Sequence, residues 1–341
     1  MIFSTLEPFT REGTDLPVPG PAGAFPMAAV AFRNGPASLG FAPAGDHLAM
    51  TVPMARPGEP GCVETWWCEE PPETGRAGDI LYACGDEVAL CAAVVEHRSV
   101  YAPAVEQRYR EVFAFLEAHG YRRLLRVWNF IETINAANAD GLEVYRDFCK
   151  GRADAFAAHP VFSRSMPAAT GIGTTGSGIS FFLLAVKDAE VRHIENRRQT
   201  PAYRYPARYG PRSPSFARAT TMTARPGEAP TLFVSGTASI LGHETVFAGD
   251  IEKQCATTAD NIAELIGNCY GGAKSLTDVD AVKAYVRHAH HVEYVREFCA
   301  SAFGPRASLA VFNVDICRGD LLVEIEAIVG GAAVGAEAVR A

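Results

Sequence analysis

The sequence predicts an α+β protein built around a duplicated unit, on three observations. Segments of alternating or continuous apolar character interleave with longer segments of helical period, so strands and helices follow one another along the chain. Ile80-Leu81-Tyr82-Ala83-Cys84-Gly85 resembles Thr231-Leu232-Phe233-Val234-Ser235-Gly236, and each leads through further strand-like sequence to a helix and a strand. Finally, 341 residues suffice for two domains of ordinary size, each with its own core. The two units are expected at 1–165 and 166–335, with a functional site between them.

Residues 1–45 carry many Pro and Gly between short apolar pieces, which predicts an irregular strand-and-loop lead-in. Strand signals follow at 46–54, 61–68 and 79–96. Val105, Tyr109, Val112, Phe113 and Leu116 recur at helical spacing and His119-Gly120 supplies a stop, so a helix is expected over 103–119. Leu124 to Ile131 reads as a strand, and a second helix runs from about Asn138 to Ala158, closed by Pro160. The Gly- and Thr-rich segment 167–180 reads as a loop opening a strand at 179–187, and a charged, proline-rich stretch occupies 188–218. Beyond it come a strand from Thr231 to Leu241, helices over 251–267 and 292–303 flanking a strand over 280–287, and a terminal hairpin. That hairpin pairs Leu309–Ile316 with Leu321–Val329 through an Arg-Gly-Asp turn.

Composition narrows the function. No apolar run, Phe181 to Val186 among them, approaches the 18 or so residues of a membrane span. The N-terminus lacks a basic start followed by an apolar core, so the cytoplasm is the default compartment and no membrane partner is expected. Nine cysteines lie scattered without a C-x-x-C pair, which reads as free thiols and not as zinc ligands. A formal charge of −8 disfavours nucleic acid, whose phosphates need a concentrated positive surface.

The terminal hairpin places Cys317 and Glu324 on neighbouring strands of an apolar sheet. Period-two alternation puts Glu324 and Glu326 on one face, where burial and a nearby second carboxylate would keep one of them protonated near neutral pH. A general acid requires that; on a half-exposed sheet the same two glutamates would simply face solvent. Gly171-Ile172-Gly173-Thr174-Thr175-Gly176 matches the dinucleotide fingerprint in letters, but it follows a helix and opens a strand, the reverse of the order a pyrophosphate site needs. His288, His290 and His291 have no ligand spacing and read as surface residues. On the helix before Pro160, Tyr145 and Arg152 lie two turns apart and share a face. Tyr205 and Arg218 belong to a segment with four arginines and four tyrosines or phenylalanines between Pro201 and Thr220. Arginine grips carboxylates through a planar fork and tyrosine adds a hydroxyl on a flat ring, so two such pairs suit a small aromatic-like diacid; otherwise they are solvated loop charges.

Four motifs occur together and in order: E-V-Y-R-D-F-C-K-G-R-A-D-A-F, A-Y-R-Y-P-A-R-Y-G-P-R-S-P-S-F-A-R-A-T, F-V-S-G-T-A-S-I-L-G-H and C-R-G-D-L-L-V-E-I-E. In this combination the chain resembles the chorismatase family over roughly residues 120–330, and the last two motifs are also similar to the RidA/YjgF family. The resemblance implies two RidA/YjgF-like (chorismate mutase-like) α+β domains, with mixed sheets and helices packed on one face. It also implies chorismate as the small-molecule partner; acid catalysis on an enol ether needs no metal or organic cofactor, so none is expected, and the sequence leaves the oligomeric state open between monomer and trimer. By the same motifs Glu324 looks like the family's catalytic acid, and Tyr145, Arg152, Tyr205 and Arg218 look like its substrate-binding residues.

Two products are possible in such a family. If water adds to the oxocarbenium ion formed on protonation, pyruvate and a dihydroxycyclohexadiene carboxylate result. If the substrate's own C4 hydroxyl displaces the ether, an arene oxide forms and opens to 3-hydroxybenzoate. The branch giving the aromatic product is similar in carrying a cysteine seven residues before the glutamate, so Cys317 points to 3-hydroxybenzoate. Small residues in Ser235–Ala238 are also expected to shape the choice. A RidA-like imine deaminase or a noncatalytic small-molecule binder remains the reading from another class.

Overall fold

A computed structural model describes residues 2–8, 23–42, 45–59, 61–163 and 166–330. Among the described residues, nineteen strands and four α-helices are arranged as three sheets and one short ribbon. The N-terminal sheet holds β1 (Ile2–Pro8), β2 (Phe25–Arg33), β3 (Ser38–Phe41), β4 (Leu48–Pro53) and β5 (Cys62–Cys68). The first six-stranded sheet holds β6 (Glu73–Ala77), β7 (Ile80–Cys84), β8 (Val88–Val95), β9 (Arg123–Glu132), β10 (Ala168–Thr174) and β11 (Ile179–Val186), with α1 (Ala102–Ala118) and α2 (Val144–Ala158) between its strands. The second holds β12 (Glu190–Ile194), β13 (Ala219–Thr223) and β14 (Thr231–Ala238), then β17 (Val279–Val286), β18 (Ser308–Asn313) and β19 (Val323–Val329). The ribbon β15 (Ile240–Leu241) and β16 (Glu244–Thr245) precedes α3 (Ile251–Tyr270), and α4 (Val292–Phe303) follows β17.

The duplication is complete in topology. The first sheet runs β10-β9-β11-β8-β7-β6 and the second β18-β17-β19-β14-β13-β12, with the only parallel pairs, β9/β10 and β17/β18, at the same place in each. This bears out the α+β class with mixed sheets. The two hexamers that hinted at it are not the equivalent strands, however. Ile80–Cys84 is β7, whose counterpart is β13, whereas Thr231–Ala238 is β14.

A third, reduced copy lies in the N-terminal sheet. Its order β4-β2-β5-β1, with β2 and β4 parallel and the other two contacts antiparallel, repeats β10-β9-β11-β8 in the same chain order. β3 stands where the other units place a helix. Aligned on the first parallel pair of each unit, Ala28/Leu48, Arg126/Ala168 and Ala281/Ser308, the registers make Phe32, Phe130 and Tyr285 equivalent. These rings meet in one core between the three sheets: Phe32 lies 5.9 Å from Phe130 and 5.2 Å from Phe312, which stacks on Tyr285 at 5.6 Å. The helices lie outside, α1 and α2 on the first sheet and α3 and α4 on the second, each pair over its own apolar cluster.

Several expectations need correcting. Residues 1–45 include three strands, hidden because Pro and Gly punctuate them. β10 and β11 both pair into the sheet of β9, so a division at 165/166 would cut that sheet, and the chain passes from the first six-stranded sheet to the second between β11 and β12. Residues 164, 165 and 331–335 themselves lie outside the described residues. The segment 167–180 is mostly strand, not loop: a Cβ at Gly173 would stand 2.8 Å from the Asp315 carbonyl oxygen, so its glycine permits close backbone approach. The terminal hairpin does not form, because β17 lies between β18 and β19, parallel to the first and antiparallel to the second. The parallel pair β17/β18 is joined by a crossover through α4, and the loop of residues 314–322 then crosses over β17 to connect β18 to β19. Among the described residues no helix is long and apolar enough to cross a membrane.

Candidate active site

The site lies at the seam where the edge strand β10 of the first unit meets the second unit. The Ala168 amide donates to Thr220 Oγ1 at 2.7 Å and the Ala169 amide to Ser235 Oγ at 2.9 Å, while Ala217 donates to the Pro167 carbonyl at 3.0 Å. Beside this seam β14 bulges. Its register against β19 shifts between Val234 and Thr237, leaving Ser235 and Gly236 opposite Glu326. The bulge brings the Gly236 backbone against Glu324, so that a Cβ there would stand 2.0 Å from Glu324 Oε1.

Glu324 on β19 is 4% exposed. Burial pushes its carboxyl up to about 8, with the charge of Glu326 acting in the same direction, against weaker opposing pulls from Cys317, Arg126 and Arg218. The carboxyl is therefore mainly in its acid form at neutral pH. Cys317, carried by the crossover loop and not by a strand, places Sγ 3.7 Å from Glu324 Oε2. Burial, followed by the neighbouring Glu324, raises its thiol well above the ordinary range, so it stays neutral. Glu326 is the opposite case. Burial disfavours its charge, but Lys283, Arg126 and hydrogen bonds from Lys283 and Thr170 outweigh burial and hold its pKa below the usual carboxylate value.

Two connected chambers open onto Glu324. The outer one is lined by Tyr205, Tyr209, Arg218 and Arg318, among others. The inner one is lined by Asn129, Phe148, Cys149 and Arg152, among others. Tyr145, Pro214, Phe216, Gly236, Cys317 and Glu324 border both, so the two are parts of one cleft. Arg152 is 4% exposed, lies over the Tyr109 ring at 5.5 Å and has no partner for Nε or Nη2. Arg218, 2% exposed, donates from Nη2 to Tyr205 Oη at 2.6 Å and to the Thr200 carbonyl at 2.8 Å, leaving Nε without a partner. Buried guanidinium donors without partners, one lining each of the chambers that Glu324 borders, are equipped to receive two carboxylates.

The structure thus brings together Tyr145, Arg152, Tyr205, Arg218, Cys317 and Glu324 from three separate stretches of chain. Tyr145 and Arg152 share a face of α2, as their spacing requires, although the helix begins at Val144 and not near Asn138. His288 and His290 are exposed and His291 is half-buried, and none of the three lines this cleft. Sequence reasoning passed over Arg318, which lies over Tyr209 at 4.2 Å and Tyr205 at 5.1 Å and donates to the His243 carbonyl at 3.0 Å. It also missed Phe216 and Tyr209; the density of aromatic residues in 201–220 was the available signal. Among the described residues no group of three or more His, Cys, Asp or Glu side chains could hold a metal ion.

Register equivalence adds one fact. Glu324 corresponds to Ser180 in the first unit and to Cys62 in the N-terminal sheet, so only one of the three seams carries a carboxyl at this position.

A 3-hydroxybenzoate synthase of Streptomyces hygroscopicus is 45% identical over 83% of this chain and 84% of its own length. The chain belongs to the chorismatase family. Residues 64–185 match the family model described as chorismatase FkbO/Hyg5-like, N-terminal. A chorismatase of Streptomyces rapamycinicus is 42% identical over 78% of this chain and 81% of its own. A chorismatase crystal structure superposes with a TM-score of 0.87 at 36% identity, covering 96% of this chain and 98% of that one. The likeness to chorismatases therefore extends through the N-terminal sheet, beyond the four motifs that first pointed to the family.

Proposed function

We propose that this chorismatase converts chorismate to 3-hydroxybenzoate and pyruvate. What carries the reading is the protonated, buried Glu324 in a cleft lined by two arginines with unpartnered donors. Arg152 and Arg218 each neutralise one of the substrate's two carboxylates, and Tyr145 and Tyr205 border the ring between them. Fixing the substrate in this way removes much of the entropic cost of reaching a reactive geometry.

Glu324 then delivers its proton to the methylene carbon of the enolpyruvyl ether, giving an oxocarbenium ion that the new carboxylate stabilises at close range. The C4 hydroxyl attacks C3, the C3–O ether bond breaks with its electrons going to the departing oxygen, and pyruvate leaves. The hydroxyl proton returns to Glu324. The ring is left as an arene oxide, which opens at its C4–O bond and loses a ring proton to become aromatic. No water is consumed, whereas the diene diol requires one. Cys317, neutral and in contact with Glu324, occupies space that an attacking water would need.

Incubation of the purified protein with chorismate, followed by quantification of pyruvate and chromatography of the ring product, tests the reading. Equal amounts of pyruvate and 3-hydroxybenzoate are expected; pyruvate with the diene diol would overturn the choice of branch, and no pyruvate above background the whole assignment. For Cys317→Ala the expected result is an increased share of diene diol, measured on the same chromatogram. An unchanged ratio would remove the thiol as the determinant. Arg218→Ala should raise KM roughly ten- to hundredfold with a smaller change in kcat, because a charge-assisted pair is lost. An unaltered affinity for chorismate would exclude Arg218 from the clamp.

A further inference from the structure

Four charged side chains are buried where the three sheets meet. Lys283 of β17 places Nζ 2.8 Å from Glu64 Oε2 of the N-terminal sheet and 2.8 Å from Glu326 Oε1 of β19. Arg126 of β9 places Nη2 2.9 Å from Glu326 Oε2. Each of the four residues is no more than 4% exposed. Their formal charges cancel, but withdrawing four ions from water is costly, and well-packed apolar residues would commonly hold such a junction as firmly. Stability alone does not explain the cluster.

Its connections lead to the active site. Thr170 Oγ1 donates to Glu326 Oε2 at 2.5 Å and accepts from Arg126 Nη2 at 2.6 Å and from the Gly236 amide at 3.1 Å. Trp128 Nε1 donates to Glu326 Oε1 at 2.8 Å. Gly236 is the bulge residue whose backbone abuts the Glu324 carboxyl. Glu326, two residues along the same strand, is thereby held in one place with both oxygens occupied.

We propose that Glu64, Lys283, Glu326 and Arg126 form a positioning network that acts through Thr170 and the Gly236 bulge to orient Glu324 and govern its proton affinity. The inference rests on Glu324 being the general acid. The ionised Glu326 favours the neutral form of Glu324, while Lys283 and Glu64 set how much of that charge Glu324 experiences. The other titratable and charged groups facing Glu324 are Cys317 from the crossover loop, Tyr145, Cys149 and Arg152 from α2, Tyr285 from β17, Arg126 from β9 and Arg218 ahead of β13. None of these is altered by the substitutions that test the network.

The test is the alkaline limb of the pH profile for pyruvate release, in three variants whose folding is checked by circular dichroism. Glu326→Gln leaves an excess positive charge and is expected to move the limb about one unit to lower pH. Lys283→Met leaves an excess negative charge and should move it to higher pH. The double variant Glu64→Gln/Lys283→Met removes one charge of each sign and should return the limb close to the wild-type position. Should Lys283→Met fail to fold, Glu64→Gln, nearly isosteric and the farther along the chain of contacts, is expected to shift the limb downward by less than Glu326→Gln. A purely structural network would lower the yield of folded protein and leave every limb in place, which would overturn the proposal. Infrared titration of the Glu324 carboxyl, taken as wild type minus Glu324→Gln and without substrate, reads the same shifts independently of turnover. Failure of the wild type to release pyruvate would therefore count against the general-acid reading alone, and an unmoved carboxyl band across the variants against the network.

Discussion

Replacing Glu324 with glutamine is expected to reduce pyruvate release from chorismate by roughly a thousandfold while leaving chorismate binding near that of the wild type. Glutamine keeps the shape of the carboxyl and its contact with the bulge at Gly236, but has no proton to give. Near-wild-type turnover would sink the assignment of the acid. The same variant carries an opposite expectation for stability. In the unfolded chain the carboxyl titrates near 4.5, and in the fold near 8. Below pH 4.5 it is neutral in both states and costs nothing. Between these values the unfolded state alone is ionised, so the cost grows with pH and levels off above about 8, reaching on the order of 3 kcal/mol at pH 7. Glu324→Gln should therefore melt at a higher temperature than the wild type at neutral and alkaline pH, with the gap closing towards pH 4.5. Equal melting temperatures across this range would show that Glu324 is not held in its acid form by the fold.

Gly151→Ala is expected to destabilise the protein by about 3 kcal/mol, lowering its melting temperature by roughly 4 °C. α2 crosses the start of α1 at this glycine, and a Cβ would stand 2.2 Å from the Ala102 carbonyl oxygen and 2.9 Å from its carbonyl carbon. Both are backbone atoms, so a side-chain rotation cannot relieve the clash and the helices must separate. Separation would also break the link by which Asp147 of α2 caps α1, accepting from the Tyr101 amide at 2.5 Å and the Ala102 amide at 3.2 Å. Arg152 is the next residue, so activity should fall with stability. A melting temperature within a degree of the wild type would mean that the two helices do not approach as described.

What could be read from the sequence followed the strength of local patterning. α1, α3 and α4 have apolar residues at helical spacing, and β9, β11 and β17 are apolar runs bounded by turn residues, so each was legible within a few residues. β10 was not, because its glycines, which admit Tyr145 and Asp315 at close range, look locally like a loop. The supposed hairpin failed for a different reason: strand pairing is non-local, and nothing between Ser308 and Val329 reports that β17 inserts between the two strands. Glu324 and Cys317 were nonetheless found together, since seven residues of crossover return the thiol to the carboxyl as effectively as a turn would. Arg318 and the charge cluster escaped because their partners are distant in sequence; Lys283 and Glu64, for instance, are 219 positions apart. The N-terminal copy of the fold was invisible because it shares register with the other two and not residues.

Joining three such units in one polypeptide has a consequence for how the protein can vary. In a ring of identical subunits, a substitution at a junction is made everywhere at once and must be tolerated at every junction. Here Glu324, Ser180 and Cys62 occupy corresponding places but are encoded separately, so each junction is free to diverge. One can hold an acid that weakens the fold, while the other two hold a hydroxyl and a thiol that carry no such cost.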